Sequence, residues 1–110
     1  MSIEELIAKT DKFNREEIQK YNPDMEILHD ICLKAGIRLA KEYGADENTV
    51  KIALSMMDSK LPEASHFGKP KEHISMSSDV TKELLKDIDF LSEHDKENII
   101  KCVEEHHGVE

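Results

Sequence analysis

Six histidines fall in this chain of 110 residues. His29, His73, His106, His107 and, less regularly, His66 stand where helices or helix edges should face inward. The pair His106–His107 is the sharpest case. Ile99, Val103 and His106 lie at i, i+4 and i+7, and Ile100, Val103 and His107 at i, i+3 and i+7. On a helix both imidazoles therefore extend an apolar stripe. An imidazole at the buried end of such a stripe needs a partner, because an unpaired buried polar group is costly. A metal, a carboxylate or a backbone carbonyl can serve. Asp58, expected at the end of a helix, completes a series on successive helices: His29, Asp58, His73, then His106–His107. Helical bundles build metal sites from inward ligands of this kind. Imidazole suits Zn, Fe, Ni or Cu, and carboxylate and water ligands widen the choice to Mn and Mg.

The elements that must position these groups read as helices. Ser2-Ile-Glu-Glu5 is a capping box that starts a short helix. Residues 11–21 form a second helical stretch anchored by Phe13 and Ile18. Asn22-Pro23-Asp24 opens a helix over residues 24–43 that Gly44 stops. Its core stripe reads as Leu28, Cys32, Ala35, Gly36, Leu39 and Tyr43, with His29 at the stripe's edge. Asp46 caps the next helix, which runs through Val50, Ala53, Leu54 and Met57. A carboxylate at its end, Asp58, opposes the helix dipole unless something positive is near. Residues 61–71, with Pro62, Gly68 and Pro70, read as a loop. A helix over residues 71–86 then carries His73, Ser77, Val80 and Leu84 on one face. Ser92-Glu-His-Asp95 caps a last helix over residues 93–107.

Composition agrees with an all-α chain: aromatics are 5% and Trp is absent, so Ala, Leu, Ile and Met must fill the core. A single globular unit is expected, with residues 1–22 as a helical segment packed on a domain of residues 23–110. A net charge of −9 argues against a nucleic-acid polymer or a membrane surface as partner. The two cysteines, Cys32 and Cys102, fit no zinc spacing and read as free buried thiols. With no signal peptide or spanning apolar run, the expected location is cytoplasmic.

In order and context these pieces resemble the HD-domain superfamily of metal-dependent phosphohydrolases, over roughly residues 25–108. Residues 44–58 look like the family's helix leading into its His-Asp doublet. Glu72-His-Ile-Ser-Met-Ser-Ser78 looks like a downstream metal-site histidine on its helix. Residues 99–108 look like the closing His-His element of members that hold more than one metal. The resemblance implies a compact orthogonal helical fold and a divalent transition metal: Mn, Fe, Zn, Ni or Co. It implies Asp58 as the catalytic, metal-bridging carboxylate, and His73, His106 and His107 as further ligands. His29 would be a ligand or a phosphate contact. The implied substrate is a nucleotide or other small phosphate-containing ligand, and Lys60 and Lys69, in or beside the loop, are placed to touch phosphate oxygens.

The chain departs from the family at three points. Met57 replaces the doublet histidine, and a thioether is a poor ligand for these metals. His29 is one residue out of register. A distal Asp that the family usually supplies has no counterpart before Glu110. Further chain, a second subunit in a homodimer, or loss of catalysis would each account for this. The alternative function is therefore an HD-like domain without catalysis, serving ligand sensing or protein interaction. Readings without metal also exist for single residues: histidines favoured by a helix C-terminus at His106 and His107, a loop-initiating Asp58, and core packing for Met56, Met57 and Met76.

Overall fold

A computed structural model describes residues 1–105 and shows helices and no strand among them. Helix α1 spans Ile3–Tyr21, α2 Met25–Tyr43, α3 Glu47–Met57, α4 Leu61–His66, α5 His73–Leu85 and α6 Glu93–Glu105. A 3-10 turn at Pro70–Glu72 leads into α5. The fold is thus all-α, as composition and periodicity require. None of the helices among the described residues is long and apolar enough to cross a membrane.

Local chemistry sets the helix ends. The Ser2 hydroxyl accepts from the Glu5 N–H at 3.2 Å, and Asp46 accepts from the Asn48 N–H at 3.1 Å. The Ser92 hydroxyl accepts from the Asp95 N–H at 3.0 Å and starts α6. Gly44 ends α2 with φ of 71°, a left-handed conformation that favours glycine. The two stretches expected before Tyr21 are one helix, because nothing between Ile7 and Asp11 breaks it; Thr10 bonds back to the Ile7 carbonyl at 3.0 Å. Residues 61–71 are not a simple loop. Pro62 occupies the first turn of α4, where its missing N–H costs nothing, and Gly68, with φ of 74°, follows the helix.

Helix α3 is the centre of the molecule and packs against α1, α2, α5 and α6. Its Ile52 and Met56 join Leu6 of α1, Leu85 of α5 and Ile99 and Val103 of α6 in a fully buried core. Helix α1 shares this core through Leu6 and adds the buried Ile18. A second layer is hydroxylic: Ser55, Ser59, Ser77, Ser78 and Thr81 are all buried. Ser59 donates to the Met56 carbonyl at 2.8 Å and Thr81 to the Ser77 carbonyl at 2.7 Å, while Ser78 donates to the Glu104 carboxylate of α6 at 2.7 Å.

Helix α2 is turned differently from the expected stripe. Leu28, Ala35, Leu39 and Tyr43 are exposed, while His29 and Ala40 are its buried residues. Gly36 and Leu54 set this rotation. A β-carbon at Gly36 would collide with the Leu54 side chain, so α3 rests on α2 at the glycine. The face beside Gly36 becomes the inner one, and His29 moves from the stripe's edge to the interior.

Candidate functional site

Asp58 and His73 meet where the end of α3 faces the start of α5. Asp58 is the C-cap of α3, its N–H bonded to the Met56 carbonyl. The next residues are pinned: Ser59 bonds back into α3, and the Lys60 N–H donates to the Ser77 hydroxyl of α5 at 3.1 Å. His73 is buried in the first turn of α5, and its Nδ1 lies 2.6 Å from the Pro70 carbonyl oxygen. A carbonyl only accepts, so Nδ1 carries the proton and donates. The ring is thereby fixed with Nε2 at 3.4 Å from Asp58 Oδ1.

That separation is informative. It exceeds the roughly 2.7–2.9 Å of a good charge-assisted N–H···O bond. With Nδ1 as the donor, a neutral ring would aim its Nε2 lone pair at a carboxylate. The pair is compatible with a protonated imidazole, or with a cation held between the two atoms. Metal bonds of about 2.1 Å opened to the tetrahedral angle place two donors about 3.4 Å apart. An imidazole oriented by a backbone carbonyl through its other nitrogen is also the usual support of a metal-ligating histidine.

His29 is arranged otherwise. Its Nε2 lies 3.1 Å from Asp11 Oδ1 and its Nδ1 3.1 Å from the Asn14 amide nitrogen. Nε2–H donates to the carboxylate and Nδ1 accepts from the amide, so both nitrogens are engaged by α1. Arg15 extends the network, donating to Asp11 at 2.8 Å and Asp30 at 2.7 Å. Burial alone would raise the Asp11 pKa, but the hydrogen bonds and charges of Arg15 and His29 outweigh it and hold the carboxyl below its ordinary value of 3.8. Those same carboxylates push the Arg15 pKa up. His29 and Asp58 nevertheless line one narrow cleft of about 30 Å³, together with Asn14, Cys32, Leu54 and Met57. The buried Asn14 Oδ1 has no hydrogen-bond partner among the described residues.

The two lysines do not join this cleft. The Lys60 ammonium pairs with Glu17, lies 3.8 Å from Glu63 and sits over the Phe13 ring at 5.2 Å. Lys69 borders a separate hollow with Glu63, Ala64, Phe67, Glu72 and Met76. Met57 packs partly buried against the core. It also borders an apolar hollow of about 540 Å³ between α3 and α6, lined by Val50, Ala53, Leu54 and Cys102. His106 and His107 lie outside the described residues. Among the described residues no three His, Cys, Asp or Glu side chains come together as a metal group; what they contribute is the pair Asp58–His73.

Sequence reasoning did not single out Asp11, Asn14 or Arg15. The Asp11–Arg15 spacing of i, i+4 was a visible signal for an ion pair; the reach of that pair to His29 and Asp30 depends on how α1 meets α2. No family model matches this chain, and comparisons with curated proteins and with solved structures find no significant match.

Proposed function

We propose that the chain is a divergent HD-like domain, of the compact orthogonal type, that holds a divalent transition metal and hydrolyses a small phosphate ester such as a nucleotide. The observation that carries this reading is the Asp58–His73 pair: Nδ1 of His73 is tied to the Pro70 carbonyl and Nε2 stands 3.4 Å from Asp58 Oδ1. Asp58 and His73 fit a metal in donor type and separation. The remaining ligands are assigned by resemblance to His106, His107 and His29, and His29 would have to release Asn14 or Asp11 to serve. A bound ion of the Mn, Fe, Zn, Ni or Co class would neutralise a substrate phosphate and acidify a water for attack. The chain's own residues orient that chemistry. Pro70 fixes the imidazole, Ser77 holds the turn that presents Asp58, and Met57 and Leu54 keep the inner side of the cleft apolar. Lys60 would reach a phosphate only by leaving Glu17.

The test is elemental analysis of untagged protein beside Asp58→Ala, followed by a phosphate-ester panel. Stoichiometric metal that the substitution removes, with turnover that it also abolishes, supports the reading. Protein that takes up no metal after addition of Mn, Fe or Zn sinks it.

A second reading, an HD-like module without catalysis, is favoured by a different observation. His29 commits both ring nitrogens to α1. Met57, at the doublet-histidine position, is a packing residue. The apolar hollow between α3 and α6 is the surface such a module would offer to an apolar ligand. Folding without metal, no hydrolysis and saturable binding of an apolar probe would select this reading.

A further inference from the structure

The narrow cleft that His29 and Asp58 border carries sulfur from three positions. Met25 and Cys32 line it from α2 and Met57 from the end of α3, with Ile18 and Leu54 closing the wall. All three sulfur residues are half-buried. Met25, His29 and Cys32 stand at i, i+4 and i+7 and so share one face of α2. The middle residue is committed, since His29 gives both ring nitrogens to α1. The cleft holds about 30 Å³. That is far below the roughly 300 Å³ at which pockets for organic ligands begin, and above the roughly 10–15 Å³ that one water molecule fills. Its size suits a single ion.

The donors choose the ion. A thioether is a poor ligand for Mn, Fe or Zn, but thiolate and thioether together select Cu(I). Among the described residues no three His, Cys, Asp or Glu gather as a metal group; here two of the three donors are thioethers. Charge points the same way. Cys32 gives up its thiol proton on binding, and the thiolate cancels a monovalent cation. A divalent ion on the same three sulfurs would leave a net positive charge against an apolar wall, which is costly. Asp58, at the same cleft, is set against His73. Asn14 supplies an independent sign. It is 3% exposed, and its Oδ1 has no hydrogen-bond partner among the described residues. A cation in the cleft that Asn14 lines relieves the cost of that unpaired acceptor.

We propose that this cleft binds one Cu(I) ion through the Cys32 thiolate and the thioethers of Met25 and Met57. Methionine has three rotatable bonds, so thioethers two helical turns and one helix apart can close on a common point. The site is distinct from the Asp58–His73 pair and does not rest on the phosphohydrolase reading.

Protein loaded with Cu(I) under anaerobic conditions should retain one equivalent against a colorimetric Cu(I) chelator. Loss of even an outer partner of a bound metal costs about 10–100-fold in affinity, so Cys32→Ser, Met25→Leu and Met57→Leu should each weaken Cu(I) by at least ~10-fold. Leucine nearly conserves the volume of methionine, so circular dichroism of the last two should match wild type. Cys102→Ser and His73→Ala should keep wild-type Cu(I) affinity. X-ray absorption at the copper edge should show sulfur neighbours alone. Failure to retain Cu(I) overturns the proposal, as does equal loss with Cys102→Ser. So do methionine variants that bind as wild type, which would leave capture by a lone thiol, and nitrogen neighbours at the copper, which would assign the ion to histidine.

Discussion

Leu54 of α3 lies over Gly36 of α2, its Cδ1 in the space a β-carbon at position 36 would occupy. This contact decides which face of α2 turns inward, and so where His29 sits. Gly36→Ala adds helix propensity, about 1 kcal/mol in favour, but forces Leu54 out of place, about 1–3 kcal/mol against. The expected net effect is a loss of about 1 kcal/mol. In a Leu54→Ala background the obstruction is gone, and the same change should become stabilising. Urea unfolding of the four proteins in a double-mutant cycle measures this change of sign; additive effects would show that Leu54 and Gly36 do not oppose one another.

The contrast between helix ends and helix faces follows from the same contact. Ser2, Gly44, Asp46 and Ser92 announce boundaries because capping is local chemistry, complete within a few residues, whereas Asn22 ends α1 instead of capping α2, which opens after Asp24 with no side-chain cap bond. The short helix α4 was legible in principle, since Pro62 in a first turn and Gly68 beyond the end are helix signals, but proline and glycine together read as loop. The inward face of α2 was not legible. Periodicity favours the longer apolar row through Leu28 and Leu39, and only the packing of Leu54 onto Gly36 selects the row of His29 and Ala40. At the candidate site, Asp58 and His73 were identifiable as residues through resemblance. Their approach depends on how the turn after α3 is held on α5, where the Lys60 N–H donates to the Ser77 hydroxyl at 3.1 Å, and nothing in the spacing declares it.

Asp11 ties His29 to Arg15, and its depressed pKa makes that tie pH-dependent. A carboxyl whose folded pKa lies below its unfolded value stabilises the fold above the unfolded value, near 3.8, and the contribution disappears as pH falls through the folded value. Asp11→Asn keeps an oxygen for His29 but loses the charge. At neutral pH it should lower stability by about 1 kcal/mol, a modest figure because solvent screens this half-exposed group. The difference should begin to shrink as pH falls below 3.8 and close once pH has passed the lower folded value. Denaturant titrations from pH 7 to 3 test this; a difference that persists undiminished at the acid end would assign the effect to packing.

Lys60 is held inside an acidic and aromatic setting, with side-chain exposure of 17% against 12% for Glu17. Removing one partner of so enclosed a pair strands the other charge, so Lys60→Met should cost about 2 kcal/mol, somewhat below the loss for a fully buried pair. Glu17→Gln together with Lys60→Met should recover part of that loss. A Lys60→Met protein of wild-type stability whose affinity for a phosphate ester falls would return the lysine to the substrate side.

The strongest discrimination between metal-bearing and metal-free readings comes from linkage. An ion bound by the folded chain and not by the unfolded one stabilises by RT ln(1 + [L]/Kd), about 2.7 kcal/mol at a hundredfold excess over Kd. Chelation of wild-type protein should therefore lower its melting temperature by several degrees, and re-addition of Mn, Fe or Zn should restore it. Asp58→Ala and His73→Ala remove donors from the same pair, so each should melt at a temperature that chelator and metal leave unmoved. His73→Ala should show an additional intrinsic loss of about 1 kcal/mol, because the buried imidazole and its bond to the Pro70 carbonyl are removed. If chelation moves none of the three proteins and Asp58→Ala and His73→Ala are both destabilised, the 3.4 Å approach of Nε2 to Asp58 is an ion pair and not a metal site. The histidine would then be an anchor for the start of α5.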